Sequence, residues 1–505
     1  MLIKPVFKRS DMISCALCKD APCSLACKAL DPAKALREIW FDDQDVAALK
    51  LPEKNMCAGC DAPCEKACVN SGSVPIKQLM EGLYEKVRPQ IETGLPEDEE
   101  RLKCDLCGIP LQNPFLLSSS VVASTYDMCA RAFEAGWAGV CFKTVCSLDI
   151  HEASPRFSAI KGDNGSIIGF KNIEQLSDHS VAENMEIFRR LKKNYPSKCI
   201  MVSIMGRNEE EWESLTKLCE ENGADAVELN FSCPNMQEDG LGSDIGQVPE
   251  LVERFTKAAK RSSTIPVLAK LTPNVAVMSP AAEAALRGGA DGIAAINTIK
   301  SITGVSPYTY VSAPAVKGRS AVGGYSGNAV KPIALRFIAE MGLNPKLKDM
   351  HISGMGGIET WRDALEFILM GAGSLQITTA VMQYGYRIID DLKAGLNYYL
   401  AQTGITSVKD IIGAGLDSVS DTTDVLERDT ILFPTFDHDK CNGCGRCVIS
   451  CNDGGHQAIS FDERKPKLDG SKCVGCHLCR LVCPNDAISA AKKRVRLRKD
   501  HSAKN

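Results

Sequence analysis

Between about residues 104 and 400, short apolar runs alternate with amphipathic stretches. The apolar runs are VCFKTV, CIMVSIM, AVELNF, PVLAKL, GIAAIN, MHISGMGG and SLQITT. Their shortness and near-continuous apolarity predict strands buried on both faces. Between them lie DMCARAFEAG, VAENMEIFRRLKKN, EEEWESLTKLCEENG, PELVERFTKAAKRS, SPAAEAALRGG and TWRDALEFILMG, whose apolar positions recur at helical spacing. Strand–helix alternation repeated this often predicts a parallel α/β architecture. Seven or more such units favour a closed (β/α)8 TIM barrel over an open sheet, with chemistry at the strand C-termini. Ahead of this block, AKALREIWFDDQDVAALK and IKQLMEGLYEKVRPQIE read as helical, and LPEDEERL reads as a solvated acidic linker.

Cysteine changes the picture at both ends. Sixteen of the 24 cysteines fall into four tight quartets. The C-terminal pair is Cys441, Cys444, Cys447, Cys451 and Cys473, Cys476, Cys479, Cys483, the second run followed by Pro484. The steps are those of the bacterial two-cluster ferredoxin, in which the fourth cysteine of each run ligates the other cluster. Cys441, Cys444, Cys447 and Cys483 are therefore assigned to one [4Fe–4S] cluster, and Cys451, Cys473, Cys476 and Cys479 to a second. The N-terminal pair is Cys15, Cys18, Cys23, Cys27 and Cys57, Cys60, Cys64, Cys68. Zinc is the rival metal for CxxC pairs, but soft thiolates at these repeated short steps favour iron–sulfur clusters. Residues 431–495 repeat one cysteine unit twice, with short strands in AISFDE and AISAAK. The predicted organisation is an α-helical domain over 1–100 with two clusters, the barrel with its catalytic site over 101–430, and a ferredoxin-like α+β domain over 431–505. A length of 505 residues fits about three domains.

A formal net charge of -4 gives no electrostatic reason to expect nucleic acid or an anionic membrane as partner. The N-terminus lacks a continuous apolar segment of the signal-peptide kind, and no run approaches the roughly 18–20 apolar residues of a membrane span. A cytoplasmic chain without disulfides is expected. The basic tail KKRVRLRKDHSAKN reads as a solvated or subunit-contacting end.

Several strings place polar groups at successive strand ends. Lys143 follows in FKTVCSLD, Asn172 and Glu174 in GFKNIEQLS, and Asn230, Ser232 and Cys233 in AVELNFSCPNM. Lys270 ends VLAKLTPN, and Asn297 and Thr298 end GIAAINT. Singly, each has a bland reading: a surface lysine, a turn asparagine, a small buried thiol. Together they suit a flavin barrel, which needs donors to the cofactor and a proton source for the substrate. GGYSGNAVKP, SGMGGIE and SLQITTAV supply Gly, Ser and Thr groups late in the barrel, where phosphate is commonly held.

These strings resemble the flavin domain of the dihydropyrimidine dehydrogenases and, more distantly, the dihydroorotate dehydrogenases. NPFLLSSS, NFSCPNM, LAKLTPN, GYSGNAVKPIALRF, GGIETW and CNGCGRCVISCNDGGHQAI carry the resemblance. It implies that Ser118, Ser119, Lys143, Lys270, Gly327, Gly356, Gly357, Thr378 and Thr379 line FMN. It also implies that Asn172, Glu174, Asn230, Asn297 and Thr298 hold a uracil or thymine ring, with Cys233 as general acid or base. The reference thiol pKa of about 8.5 suits that role near neutral pH. CALCKDAPCSLAC, with VPIKQL further on, resembles the helical iron–sulfur domain of glutamate synthase small subunits. That likeness implies Cys15, Cys18, Cys23 and Cys68 in one cluster and Cys27, Cys57, Cys60 and Cys64 in the other. Cys104, Cys107, Cys129, Cys141, Cys146, Cys199 and Cys219 are read as structural.

No dinucleotide-binding βαβ unit appears; Gly413-Ala-Gly415 reads as a turn. With no FAD or NAD site expected in the chain, electrons would come from an FAD- and NAD(P)H-binding flavoprotein subunit or from a ferredoxin, in a homodimer or hetero-oligomer. Two other readings remain open: a dihydroorotate dehydrogenase-like flavoenzyme and a non-catalytic electron-transfer polyferredoxin.

Overall fold

The computed structural model describes residues 5–70, 72–162, 166–235, 241–420 and 422–496. Met236 of the NFSCPNM string and the tail from 497 onward lie outside them. The chain forms two compact units, residues 1–419 and 420–505.

The centre of the first unit is a closed barrel of eight parallel strands. In chain order they are β1 (Phe115–Leu117), β2 (Gly139–Val145), β3 (Cys199–Ile204), β4 (Ala226–Asn230), β5 (Val267–Lys270), β6 (Gly292–Ala295), β7 (His351–Gly354) and β8 (Ser374–Ile377). Each pairs in parallel with the next, and β8 closes on β1. Nearly every strand residue is buried, as expected where side chains fill the interior on one face and meet helices on the other. All seven expected runs contain barrel strands. The eighth, β1, is the three-residue Phe115–Leu117 inside NPFLLSSS.

Caps place the outer helices. Ser180 and Thr360 each form a reciprocal capping box with Glu183 and Asp363, while Asn208 accepts from the Glu211 N–H. Two long βα connections break the regular pattern. One supplies Phe157–Lys161 and Ile167–Asn172, and the other supplies Ile299–Ser301 and Gly323–Ser326. Together they make a four-stranded antiparallel sheet.

The N-terminal helices share one hydrophobic core with the barrel, running from Met12 through Leu36, Phe41 and Leu83 to Trp361 and Leu392. Two expectations change here. The stretch 33–50 is two helices, Pro32–Trp40 and Gln44–Lys50, because Asp42 turns the chain with a left-handed φ of 67°. The acidic run is solvated over residues 97–100, as expected, but it is anchored to helix Ile388–Thr403, which lies beyond β8. Leu102 is fully buried, Glu99 pairs with Lys393 at 2.9 Å, and the Asp98 carbonyl accepts from Asn397.

The second unit pairs Pro434–Phe436 with Ile488–Ala490 and Ile459–Asp462 with Lys465–Leu468, beside helices Arg446–Gly454 and Leu478–Leu481. Its buried core is small: Cys447, Ile459, Cys479 and Ile488. Among the described residues, no helix is long and apolar enough to cross a membrane.

Candidate functional site

A cavity opens at the C-terminal ends of the barrel strands. All fifteen cofactor, substrate and catalytic residues expected from sequence line it. Ser118 and Ser119 follow β1, Lys143 lies in β2, Asn230 ends β4, Lys270 ends β5, Asn297 and Thr298 follow β6, Gly356 and Gly357 follow β7, and Thr378 and Thr379 follow β8. Asn172, Glu174 and Gly327 come from the antiparallel sheet and its flanks, and Cys233 from the loop after β4.

The asparagines form a connected network. Asn230 Nδ2 donates to Thr144 Oγ1 at 2.9 Å, while its Oδ1 accepts from the Ser232 hydroxyl at 2.9 Å. Ser232 Oγ in turn accepts from Asn297 Nδ2 at 2.8 Å, and Asn297 Oδ1 accepts from the Thr298 N–H at 2.7 Å. Asn172 Nδ2 donates to the Gly324 carbonyl at 3.3 Å. Each of these amides has two N–H hydrogens and spends one on a described residue, which leaves a second donor on each.

Glu174 lies beside two cations, Lys143 at 3.2 Å and Arg156 at 3.5 Å. Burial nevertheless raises its pKa, against the lowering effect of Lys143. Deeper among the strands, Lys270 Nζ contacts Glu228 at 3.1 Å and Ser119 Oγ at 3.0 Å. Glu228 also accepts from Gln376 at 3.0 Å and has no exposed side-chain surface. Two polar atoms of cavity-lining residues, Asn235 Oδ1 and Gln376 Oε1, are buried without a hydrogen-bond partner among the described residues. Buried orphans of this kind call for a partner the protein itself does not supply.

Cys233 requires a correction. Burial pushes its thiol up to about 11, with the Asn235 backbone N–H acting in the opposite sense, so it does not titrate near neutral pH as the reference value suggests.

The remaining quartets surround four further cavities. Cys15, Cys18, Cys23 and Cys68 line one, and Cys27, Cys57, Cys60 and Cys64 another. In the second unit, one is lined by Cys441, Cys444, Cys447 and Cys483, and the other by Cys451, Cys473, Cys476 and Cys479. The fourth cysteine crosses between runs at both ends of the chain. Among the described residues, no three His, Cys, Asp or Glu groups are placed to hold a single metal ion. The cysteines surround a space instead of converging on a point. Backbone N–H groups of Ala458, Gly475 and Ala487 donate to the sulfurs of Cys451, Cys473 and Cys483 at 3.3–3.4 Å.

Comparison with known proteins agrees with this geometry. Residues 101–400 match the family model for dihydroorotate dehydrogenase, and residues 435–490 match that for a 4Fe-4S dicluster domain. The chain is 52% identical to the NAD-dependent dihydropyrimidine dehydrogenase subunit PreA of Escherichia coli (strain K12) over 385 residues, covering 76% of this chain and 93% of that protein. The chain belongs to the dihydropyrimidine dehydrogenase subunits of the dihydroorotate dehydrogenase family. It is thus an iron–sulfur oxidoreductase of that family. The chloroplastic dihydropyrimidine dehydrogenase (NADP(+)) of Arabidopsis thaliana is 38% identical over 345 residues, 66% of this chain and 81% of that one. The catalytic subunit of dihydroorotate dehydrogenase B (NAD(+)) of Pyrococcus abyssi is 39% identical over 320 residues, 62% and 99% of the two chains. A crystal structure of DHODH in complex with ferulenol from Eimeria tenella shares the fold, with a TM-score of 0.53 at 18% identity, covering 64% of this chain and 91% of that one.

Relative to other dihydropyrimidine dehydrogenase features legible in the sequence, Glu228, Gln376, Asn235 and Thr144 escaped notice. Glu228 left a signal: a carboxylate inside the otherwise apolar AVELNF requires a buried partner. Gln376 in SLQITT left the same signal more weakly. Asn235 and Thr144 carry none, since polar residues beside a strand end are ordinary.

Proposed function

We propose that this chain is the FMN-bearing subunit of a dihydropyrimidine dehydrogenase that reversibly reduces the 5,6 double bond of uracil or thymine. The observation that carries the reading is one cavity in which three half-used asparagine amides, Thr298 and the Cys233 thiol face a common space. FMN fits the walls. Ser118, Ser119, Lys143, Lys270, Gly327, Gly356, Gly357, Thr378 and Thr379 would hold it, and the orphan Gln376 Oε1 is an acceptor for a bound N–H. When bound and reduced by two electrons, FMN would supply the hydride for C6 of the ring.

The chain's own residues do the rest. The spare N–H groups of Asn172, Asn230 and Asn297 donate to ring carbonyls, orienting the ring and stabilising negative charge that builds on oxygen during reduction. Glu174 accepts from a ring N–H. Cys233 gives its proton to C5. A thiol raised to about 11 remains protonated through the neutral range, which suits the reductive direction.

Each four-cysteine cavity is read as the seat of one [4Fe–4S] cluster, four in all. Electrons from NAD(P)H enter through an FAD-bearing partner subunit, as the word subunit in the name of the Escherichia coli relative supports. Anaerobically purified chain should carry FMN, iron and sulfide, reduce uracil with an artificial donor, and fail with NADH alone. Cys233→Ala should keep FMN and uracil binding but lose on the order of 10²–10⁴ in turnover. Near-normal turnover in that variant refutes the assignment. Preference for orotate over uracil would favour the dihydroorotate dehydrogenase reading, and absence of bound FMN the polyferredoxin reading.

A further inference from the structure

We infer that Arg387, a barrel residue, positions the Cys15–Cys18 loop and raises the reduction potential of the cluster in the Cys15, Cys18, Cys23 and Cys68 cavity. The inference rests on reading that cavity as a cluster site. Its wall is composite. Most of it comes from residues 15–76, but Arg387 and Asp390 reach it from the barrel. The other N-terminal cavity is walled by residues 26–80 alone.

Arg387 sits between helices Thr379–Tyr384 and Ile388–Thr403. The first of these helices begins at the central cavity, which Thr379 and Met382 line. Arg387 Nη2 donates to the Leu17 carbonyl at 2.6 Å, Nη1 to the Cys18 carbonyl at 3.3 Å, and Nε to the Tyr384 carbonyl at 3.2 Å. Leu17 has a left-handed φ of 46°, a conformation that a side chain with a Cβ adopts only when its surroundings hold it there. The guanidinium fork holds the carbonyls of two successive peptides, Leu17–Cys18 and Cys18–Lys19, one on each side of the second cysteine of the run.

The charge of Arg387 is not spent on a carboxylate. Its three described hydrogen bonds all end on backbone carbonyls; of the acids that line the cavity, Asp20, Asp31 and Asp390, none forms an ion pair with it among the described residues, and Asp390 faces Arg37 at 3.7 Å. A cluster held by four thiolates is anionic and becomes more so when reduced. An adjacent cation therefore stabilises the reduced form more than the oxidised form, and net charge with hydrogen bonding near the sulfurs is how a protein tunes such potentials. A lysine would keep the charge but not the planar two-carbonyl grip. The barrel thus tunes its own electron input.

The test is an anaerobic redox titration of the full chain followed by electron paramagnetic resonance, with iron and sulfide analysis of every variant. In Arg387→Gln, one cluster signal should move to lower potential. At a fixed potential its reduced-to-oxidised ratio should fall on the order of tenfold, about 59 mV for one electron. Arg387→Lys should recover part of that shift, and the other signals should stay in place. Full cluster content with no shifted signal in Arg387→Gln overturns the inference. Loss of that one cluster in Arg387→Gln would support the positioning role. Asp390→Asn, at an exposed position on the same wall, then carries the electrostatic test with opposite sign, and an unmoved signal overturns it. Cys15→Ser with unchanged iron, sulfide and spectrum would instead refute the reading of the cavity itself.

Discussion

Replacing Glu228 tests whether the cofactor wall of the cavity is held by a buried charge pair. Glu228 has no exposed side-chain surface, Lys270 has 4%, and they meet at 3.1 Å. Glu228→Leu leaves Lys270 buried opposite an apolar wall and also removes an acceptor from Ser119 and Gln376. Breaking a buried pair by deleting one partner costs about 3–5 kcal/mol, and replacing both with apolar groups of similar volume is often neutral. With about 2.1 cal/mol/K of unfolding entropy per residue over a unit that spans residues 1–419, the single variant should therefore melt about 3–6 °C lower. Glu228→Leu/Lys270→Met should recover most of that stability, yet still bind FMN poorly, because Lys270 lines the cavity. Anaerobic thermal unfolding by far-UV circular dichroism, run on both singles and the double, gives the coupling energy. FMN content after gel filtration gives the second readout. A coupling near zero, or a double variant no more stable than Glu228→Leu, would refute the reasoning.

Four further outcomes follow from the same structure. Ser232→Ala removes the hydroxyl between Asn230 and Asn297 and should raise KM for uracil on the order of tenfold, measured by steady-state kinetics, from two hydrogen bonds of about 1 kcal/mol each. Burial and the neighbouring acids Glu38 and Asp390 raise Asp391 to about 7 despite Arg37, so the native state keeps a proton the unfolded chain releases above about 3.8. Its stabilising contribution is therefore full below pH 3.8 and lost as pH rises through 7, and Asp391→Asn should flatten that slope in melting temperatures between pH 5 and 8. Stripping iron with a chelator should unfold residues 420–505 before the barrel, because two of that unit's four core residues are cysteines; limited proteolysis should cut there first. Mass-spectrometric tracking of iodoacetamide at pH 8 should find Cys233 alkylated about a hundredfold more slowly than a free thiol, as a value of about 11 leaves little thiolate.

The barrel was legible because continuous apolar runs and helical periodicity alternate through it, and seven of its eight strands stand out. β1 did not, since three residues between Pro114 and a run of serines give no pattern to read. The antiparallel sheet was missed for a related reason. Phe157–Lys161 alternates between exposed and half-buried positions without a strong apolar face, and its partners lie far along the chain. The site residues were legible by type, because Lys143, Asn230, Lys270 and Asn297 fall at strand ends. Their electrostatics were not. Nothing local to Cys233 announces that the fold buries its thiol, and nothing local to Lys270 announces that Glu228, on the neighbouring strand, is its counter-charge.

That last pair explains how the cavity divides its work. Glu228 of β4, Lys270 of β5, Gln376 of β8 and Ser119 just after β1 join in one buried network, so this part of the cavity is rigid and charge-balanced before any cofactor arrives. The asparagine amides of the same cavity, Asn230 directly beside Lys270 in the strand register, are held through neutral bonds, and among the described residues each leaves one donor unspent. A ring with two carbonyls gains from those donors without having to displace an ion pair. A ring bearing its own carboxylate would meet Glu174 and Asn235 Oδ1, unpartnered among the described residues, both of them acceptors, while the cations Lys143 and Arg156 are already paired with Glu174. The balance of free donors and acceptors therefore favours a neutral pyrimidine, and it does so through groups fixed by the fold, without requiring a charge to be brought in by the substrate.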